Sequence, residues 1–235
     1  MFLKITEVEH YTDTLFRIRT ERPSTFRFTA GEFTMIGMGD NDITRAYSIT
    51  SGPYDEYLEF YSIKVPDGPL TSRLQHVEVG GELEVGDKPT GTLTLANLEL
   101  GGDLWMLATG TGIAPFISLL RDPVTFEEFN RIHVVWSVRY QSELLAYNEM
   151  LQDLDIDYIP IVTRDTEWMA EKNRITKLMQ NGVIITNGSP ATDKVMICGS
   201  MPFNNDVKEM LIDAGWQEGN RRTAGNFVQE KAFVS

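Results

Sequence analysis

The pattern of apolar residues changes once along this chain, near residue 98, and that change restricts the folds open to it. Before it, short strand-like runs at 2–8, 15–20, 33–37, 45–50, 58–65 and 81–85 are separated by turn signals. Gly31, Gly39, Gly52-Pro53, Pro66-Asp67-Gly68-Pro69 and Gly80-Gly81 mark those turns, and only 70–76 reads as a short helix. Regularly spaced short strands of this kind predict a closed antiparallel barrel. After it, apolar strands at 104–108, 132–137, 158–163 and 195–198 alternate with amphipathic helices at 114–121, 142–154, 173–181 and 202–214. That alternation predicts a parallel sheet covered on both faces, with 229–233 as a last strand. The expected architecture is therefore two-domain: an antiparallel β-barrel over 1–97, then an α/β parallel-sheet domain over 98–235.

Composition excludes several functions. The 21 Lys and Arg against 34 Asp and Glu leave a net charge of −13, so no basic stripe exists to hold nucleic acid. The single cysteine, Cys198, rules out an internal disulfide, a four-thiolate zinc site and a cysteine-ligated iron–sulfur cluster within this chain. No apolar run approaches about 18 residues, and the start alternates apolar with polar residues, so the cytoplasm is expected and a membrane is not. His10, His76 and His133 have neither metal-ligand spacing nor an evident base partner and are read as structural.

Two stretches carry chemistry. Arg45-Ala46-Tyr47-Ser48 offers a cation for a phosphate, a flat ring and a hydroxyl, which fits a flavin site. Arg45 and Ser48 are expected on one face of the strand and Tyr47 on the other. Tyr61, Ser62, Ile63 and Lys64 form a second polar and aromatic strand. Leu70-Thr71-Ser72 then reads as a helix start, with Thr71 or Ser72 as its cap and a pyrophosphate as its ligand. The other stretch, Gly110-Thr111-Gly112-Ile113-Ala114-Pro115, follows an apolar strand and leads into a helix, where free N–H groups suit a second pyrophosphate. It lacks the three spaced glycines of the dinucleotide fingerprint, so its position after a strand carries the argument. Cys198-Gly199 ends another apolar strand, with the thiol expected in the same crevice and nicotinamide as its neighbour. Arg139, Arg164 and Arg174 each follow a strand or turn; together they suit a 2′-phosphate. Two such sites in order point to an electron-transfer flavoenzyme.

Taken together, these segments and the tail from Phe227 to Val234 resemble the ferredoxin–NADP⁺ reductase family, its bacterial branch in particular. The resemblance implies FAD in the barrel and NADP(H) in the α/β domain. It implies Arg45 and Ser72 at the FAD pyrophosphate, with Leu70 and Thr71 beside them. Tyr47 with Ala46 would lie against the isoalloxazine, Ser48 near its reactive nitrogen, and 61–64 along the rest of the ring. Thr111 and Gly112 would meet the NADP pyrophosphate, the three arginines its 2′-phosphate, and Cys198 with Gly199 the nicotinamide. Asp206 matches a further position near the nucleotide, and Glu230 a carboxylate near the flavin. Plastid relatives end in a tyrosine on the flavin; here Ala232 takes that place, followed by Phe233 and two more residues.

The implied activity is hydride exchange between NADPH and FAD, coupled to one-electron exchange with ferredoxin or flavodoxin, with Ser48, Cys198 and Glu230 at the reacting centre. A monomer is expected. Two alternatives stay open: an NAD(P)H-dependent reductase serving an oxygenase or reducing free flavin or iron, and a non-catalytic flavin-binding subunit or sensor. Because such carriers are acidic, docking on a chain of this charge needs a local basic patch, for which Arg17, Arg19, Arg22, Arg27, Arg221 and Arg222 are candidates.

Overall fold

The computed structural model describes residues 1–39, 43–185 and 188–231. The chain divides into two compact units. Among the described residues, one comprises Met1–Gly91 with Ala114–Asp122, and the other Thr92–Ile113 with the described residues from Pro123 to Lys231.

The first unit holds six antiparallel strands: β1 (Phe2–His10), β2 (Leu15–Glu21), β3 (Phe33–Gly37), β4 (Arg45–Ser48), β5 (Tyr57–Ile63) and β6 (Glu82–Val85). Their order is β4-β3-β6-β1-β2-β5. The two end strands curl toward each other, since the Thr50 N–H donates to the Glu59 carbonyl at 2.8 Å and the Ser62 hydroxyl meets the Tyr47 hydroxyl at 3.3 Å. Alternation drives this curl. Along β2, Phe16 and Ile18 turn inward while Arg17 and Arg19 face out, so one face of the sheet must find an apolar partner. Leu3, Ile5, Phe16, Ile18, Ile36, Leu58, Phe60 and Val85 meet in that core, with Tyr47 packed against it. The expected helix at 70–76 is shorter, α1 (Thr71–Leu74).

The outer side of the barrel carries a buried charge. Glu59 is fully buried, yet it accepts from Arg19 Nε at 2.7 Å and Arg121 at 3.0 Å and lies 3.6 Å from Arg17. Arg121 follows α2 (Ala114–Leu120), which also donates from Ser118 to the Ser51 carbonyl at 2.7 Å. A helix that directly follows the glycine-rich turn is thereby built into the barrel unit.

The second unit contains a five-stranded parallel sheet: β7 (Asp103–Thr109), β8 (Arg131–Val138), β9 (Asp157–Val162), β10 (Asp193–Gly199) and β11 (Phe227–Lys231). The order is β11-β10-β7-β8-β9, so the chain runs outward through β8 and β9, then returns to the far side of β7. Its helices are α3 (Pro123–Glu128), α4 (Asn148–Asp153), α5 (Ile175–Gln180) and α6 (Met201–Asp213). The short α3 was not anticipated, and the helix expected at 142–154 is a 3-10 turn at Gln141–Leu144 followed by α4. Apolar residues of the strands pack with Ile175, Leu178, Phe203, Val207 and Leu211 of α5 and α6. Every residue of β10 is buried, as expected of a strand covered on both faces.

Candidate functional site

The flavin-side residues sit on and around two short strands of the first unit. Side chains alternate along β4, so Arg45 and Tyr47 share one face and Ala46 and Ser48 the other; the expectation that Arg45 and Ser48 face together is wrong. Arg45 is exposed, and among the described residues its guanidinium donates to the neighbouring Thr44 carbonyl at 2.8 Å, a geometry that suits an anion at its other donors. Tyr47 is half-buried. Burial raises the pKa of its hydroxyl, against the smaller pull of the Ser62 hydrogen bond and the Arg45 charge. Ser48 is half-buried beside Phe33 in the ladder.

On β5 the same alternation divides the expected group. Ser62 faces Tyr47, whereas Tyr61 is buried on the other side, edge-on to Tyr11 with ring centroids 6.2 Å apart. Ile63 is half-buried, and the Lys64 ammonium donates to the Thr12 carbonyl at 3.2 Å. The Leu70 side chain is buried in the core of this unit. Neither Thr71 nor Ser72 caps α1. Leu70 occupies the cap position without a side-chain bond, and the Thr71 hydroxyl turns back to the Val65 carbonyl at 3.1 Å. Gly68 makes this turn possible, because a Cβ there would collide with that hydroxyl. Ser72 is half-buried.

The nucleotide-side residues meet where the parallel sheet changes direction. β7 and β10 are neighbours although 90 positions separate their starts, and chain reversal between adjacent strands opens a crevice at their carboxyl ends. The Gly110–Ile113 turn leaves β7 there, with Gly110 at φ +55°. Trp136 on β8 fixes it by donating from Nε1 to the Gly110 carbonyl at 2.8 Å. Gly112 presses against the end of β10 so closely that a Cβ would overlap the Cys198 carbonyl. Gly199 is equally confined by the Thr109 hydroxyl and the Phe203 ring. That hydroxyl accepts from the Ser200 N–H at 3.2 Å, immediately before α6. Two backbone turns thus interlock with no room for side chains, which is how a surface rich in N–H groups is presented to a pyrophosphate. Thr111 is half-buried within it.

Cys198 is only 1% exposed. Burial pushes its thiol pKa well above the usual range, and the nearby Glu230 charge pushes the same way, so the thiol stays protonated at neutral pH. Glu230 is its register partner across the β10–β11 ladder. Three residues absent from the sequence reading hold this corner: Trp136, Thr92 and Asn204. Thr92 donates its N–H to the Glu230 carboxylate at 3.3 Å, and Asn204 donates to the Glu230 carbonyl at 2.8 Å. Thr92 lies 138 positions from Glu230, so no local pattern signals the pairing.

Arg139 and Arg164 lie at the adjoining ends of β8 and β9, linked by the Arg164 N–H to the Arg139 carbonyl at 2.9 Å. Arg174 stands at the start of α5, and all three side chains are exposed. Asp206 is exposed on α6. Ala232 and Phe233 lie outside the described residues. His133, expected to lack a base partner, stacks on Trp105 with ring centroids 3.9 Å apart and lies 3.0 Å from the Asp157 carboxylate. The proposed basic patch loses three members. Arg17 and Arg19 are paired with Glu7 and Glu59, and Arg22 binds the Phe26, Pro53 and Asp55 carbonyls. Arg27, Arg221 and Arg222 remain exposed.

The oxidoreductase NAD-binding domain family matches residues 106–209, which span β7 through most of α6. A flavodoxin/ferredoxin–NADP reductase of Rhodobacter capsulatus is 45% identical, with 98% of this chain and 92% of that protein covered. A ferredoxin–NADP reductase of Pseudomonas aeruginosa is 40% identical over 98% of this chain and 96% of its own length. Among solved structures, a ferredoxin–NADP⁺ reductase from Neisseria gonorrhoeae with bound FAD and NADP superposes with a TM-score of 0.92 at 30% identity, covering 99% of this chain and 98% of that one. With the interlocked turns at the sheet reversal and near-complete likeness to these reductases, the chain belongs to the ferredoxin/flavodoxin–NADP reductase family.

Proposed function

We propose that this chain catalyses reversible hydride exchange between NADPH and bound FAD, coupled to one-electron exchange with a ferredoxin or flavodoxin. The near full-length likeness to reductases of that name carries the reading. The backbone cradle at Gly112 and Gly199 fits a dinucleotide, and the exposed Arg45 beside the Tyr47–Ser62 pair fits a flavin phosphate and ring. When bound, FAD supplies the exchange between two-electron and one-electron chemistry.

The chain supplies binding and orientation. Arg45 neutralises phosphate charge in the 1–97 half, with Ser72, Thr71 and Leu70 at the same group. Tyr47, Ala46, Ser48 and the 61–64 strand hold the flavin ring. In the 98–235 half, Thr111 and Gly112 present N–H groups to the nucleotide pyrophosphate, and Arg139, Arg164 and Arg174 select its 2′-phosphate. Cys198, Gly199 and Glu230 orient the nicotinamide, with Asp206 nearby. A thiol held protonated does this by packing and hydrogen bonding, not as a nucleophile. Ala232 and Phe233 complete the flavin side. The protein works as a cytoplasmic monomer, and no helix among the described residues is long and apolar enough to cross a membrane.

Anaerobic mixing with NADPH and, separately, NADH tests the proposal. The flavin absorbance should bleach with NADPH and far more slowly with NADH. A flavin untouched by either nucleotide would favour the non-catalytic subunit, and equal bleaching with poor ferredoxin reduction the oxygenase-type reductase.

A further inference from the structure

Asn204 is a fully buried amide for which neither composition nor the cofactor assignments provide a task. Its Nδ2 donates to the Glu230 carbonyl at 2.8 Å, while its Oδ1 is buried with no hydrogen-bond partner among the described residues. Burying an unused acceptor costs stability, so an apolar residue of similar volume would serve packing at this position better. Thr92 grips the same strand independently. Its N–H reaches the Glu230 carboxylate at 3.3 Å and its hydroxyl the Gln229 carbonyl at 3.1 Å. Thr92 is itself held, because Asn97 donates to its carbonyl at 3.0 Å and to Thr94 Oγ1 at 3.0 Å. Glu230 is therefore gripped at both its main chain and its carboxylate, and it stands across the ladder from Cys198.

We propose that Asn204 is a positioning residue for the hydride exchange: with Thr92 it clamps β11 so that the Glu230 carboxylate stays beside Cys198. The Asn204–Glu230 bond joins the start of α6 to the last strand, both immediately behind the Cys198-Gly199 turn. Without it, β11 keeps its ladder to β10 but loses the side-chain hold that sets how far Glu230 reaches.

The catalytic part of this inference rests on the functional reading above, so its test includes a readout that needs no turnover. Cys198 is the one cysteine, and because it is 1% exposed its rate of alkylation by iodoacetamide in the FAD-bound protein reports how often β11 and the turn beside it open. In Asn204→Leu, alkylation at about pH 8 should rise about tenfold as the released strand opens more often. Glu230→Gln, which keeps the main-chain bond to Asn204 and an acceptor for Thr92, should change the rate less than Asn204→Leu does. In the same Asn204→Leu protein, kcat with NADPH should fall about tenfold while KM stays within about twofold, the pattern of an interaction lost from the transition state alone. Thr92→Val, which keeps the N–H and removes only the hydroxyl, should move both quantities the same way by less, and serves if Asn204→Leu does not fold. Alkylation and kcat at wild-type values in folded variants would overturn the clamp. Failure of the functional reading looks different: NADPH then leaves the flavin of the wild-type protein unbleached, whatever the thiol rates.

Discussion

The two units bury different things. The barrel unit buries a charge: Glu59 is sealed in with three arginines around it, on the face of the sheet that the apolar core does not use. The parallel-sheet unit buries a strand run such as Val195-Met196-Ile197-Cys198, covered on both faces. Their candidate sites differ in the same sense. On the proposed flavin side, side chains furnish the surface, with Arg45 exposed and Tyr47 meeting Ser62. At the proposed pyrophosphate turn, main chain furnishes it, because Gly112 and Gly199 are pressed against their neighbours. A twisted antiparallel sheet has an outer face to furnish with polar groups, whereas a parallel sheet covered on both sides leaves its strand ends as the open place for a ligand.

Three substitutions sharpen or break this contrast. Glu59→Gln leaves Arg17, Arg19 and Arg121 facing a neutral amide and should destabilise the barrel unit by about 3–5 kcal/mol. Urea titration followed by flavin release reports that unit, while tryptophan fluorescence reports the other, since Trp105, Trp136, Trp168 and Trp216 all belong to it. Equal shifts in both signals would mean that the buried charge stabilises the whole molecule and not one region. Gly112→Ala should cost about 100-fold in single-turnover flavin reduction by NADPH with FAD still bound, because the new methyl displaces the end of β10. Normal reduction by that variant would show that the turn has slack and that backbone approach does not govern the site. Arg45→Ala, the mildest of the three, should weaken FAD binding about tenfold with little loss of stability, measured by fluorescence titration of the apoprotein. An unchanged dissociation constant would remove the side-chain half of the contrast.

Much of this was legible before any coordinates. Period-two runs such as Leu15 to Thr20 and unbroken apolar runs such as Val195 to Cys198 name their own strands, because burial on one face or both is a local property of the sequence. The Gly110–Pro115 turn and Cys198-Gly199 were visible for the same reason. Reading faces was less secure. Parity along β4 should have paired Arg45 with Tyr47, and parity along β5 should have separated Tyr61 from Ser62. Thr71 looked like a cap, but its hydroxyl found the Val65 carbonyl in a turn that Gly68 makes tight.

Strand content, the change from antiparallel to parallel architecture, and the two glycine-marked turns were determined by the sequence itself, since periodicity and glycine placement act over a few residues. Tertiary structure alone decided that β10 returns beside β7, bringing Gly112 onto Cys198. It also decided that Arg17 and Arg19 serve Glu59 instead of a partner, that α2 joins the barrel, and that Thr92 and Asn204 hold Glu230. Those contacts join residues 26 to 138 positions apart, and their energy exists only once the chain has closed the loops between them.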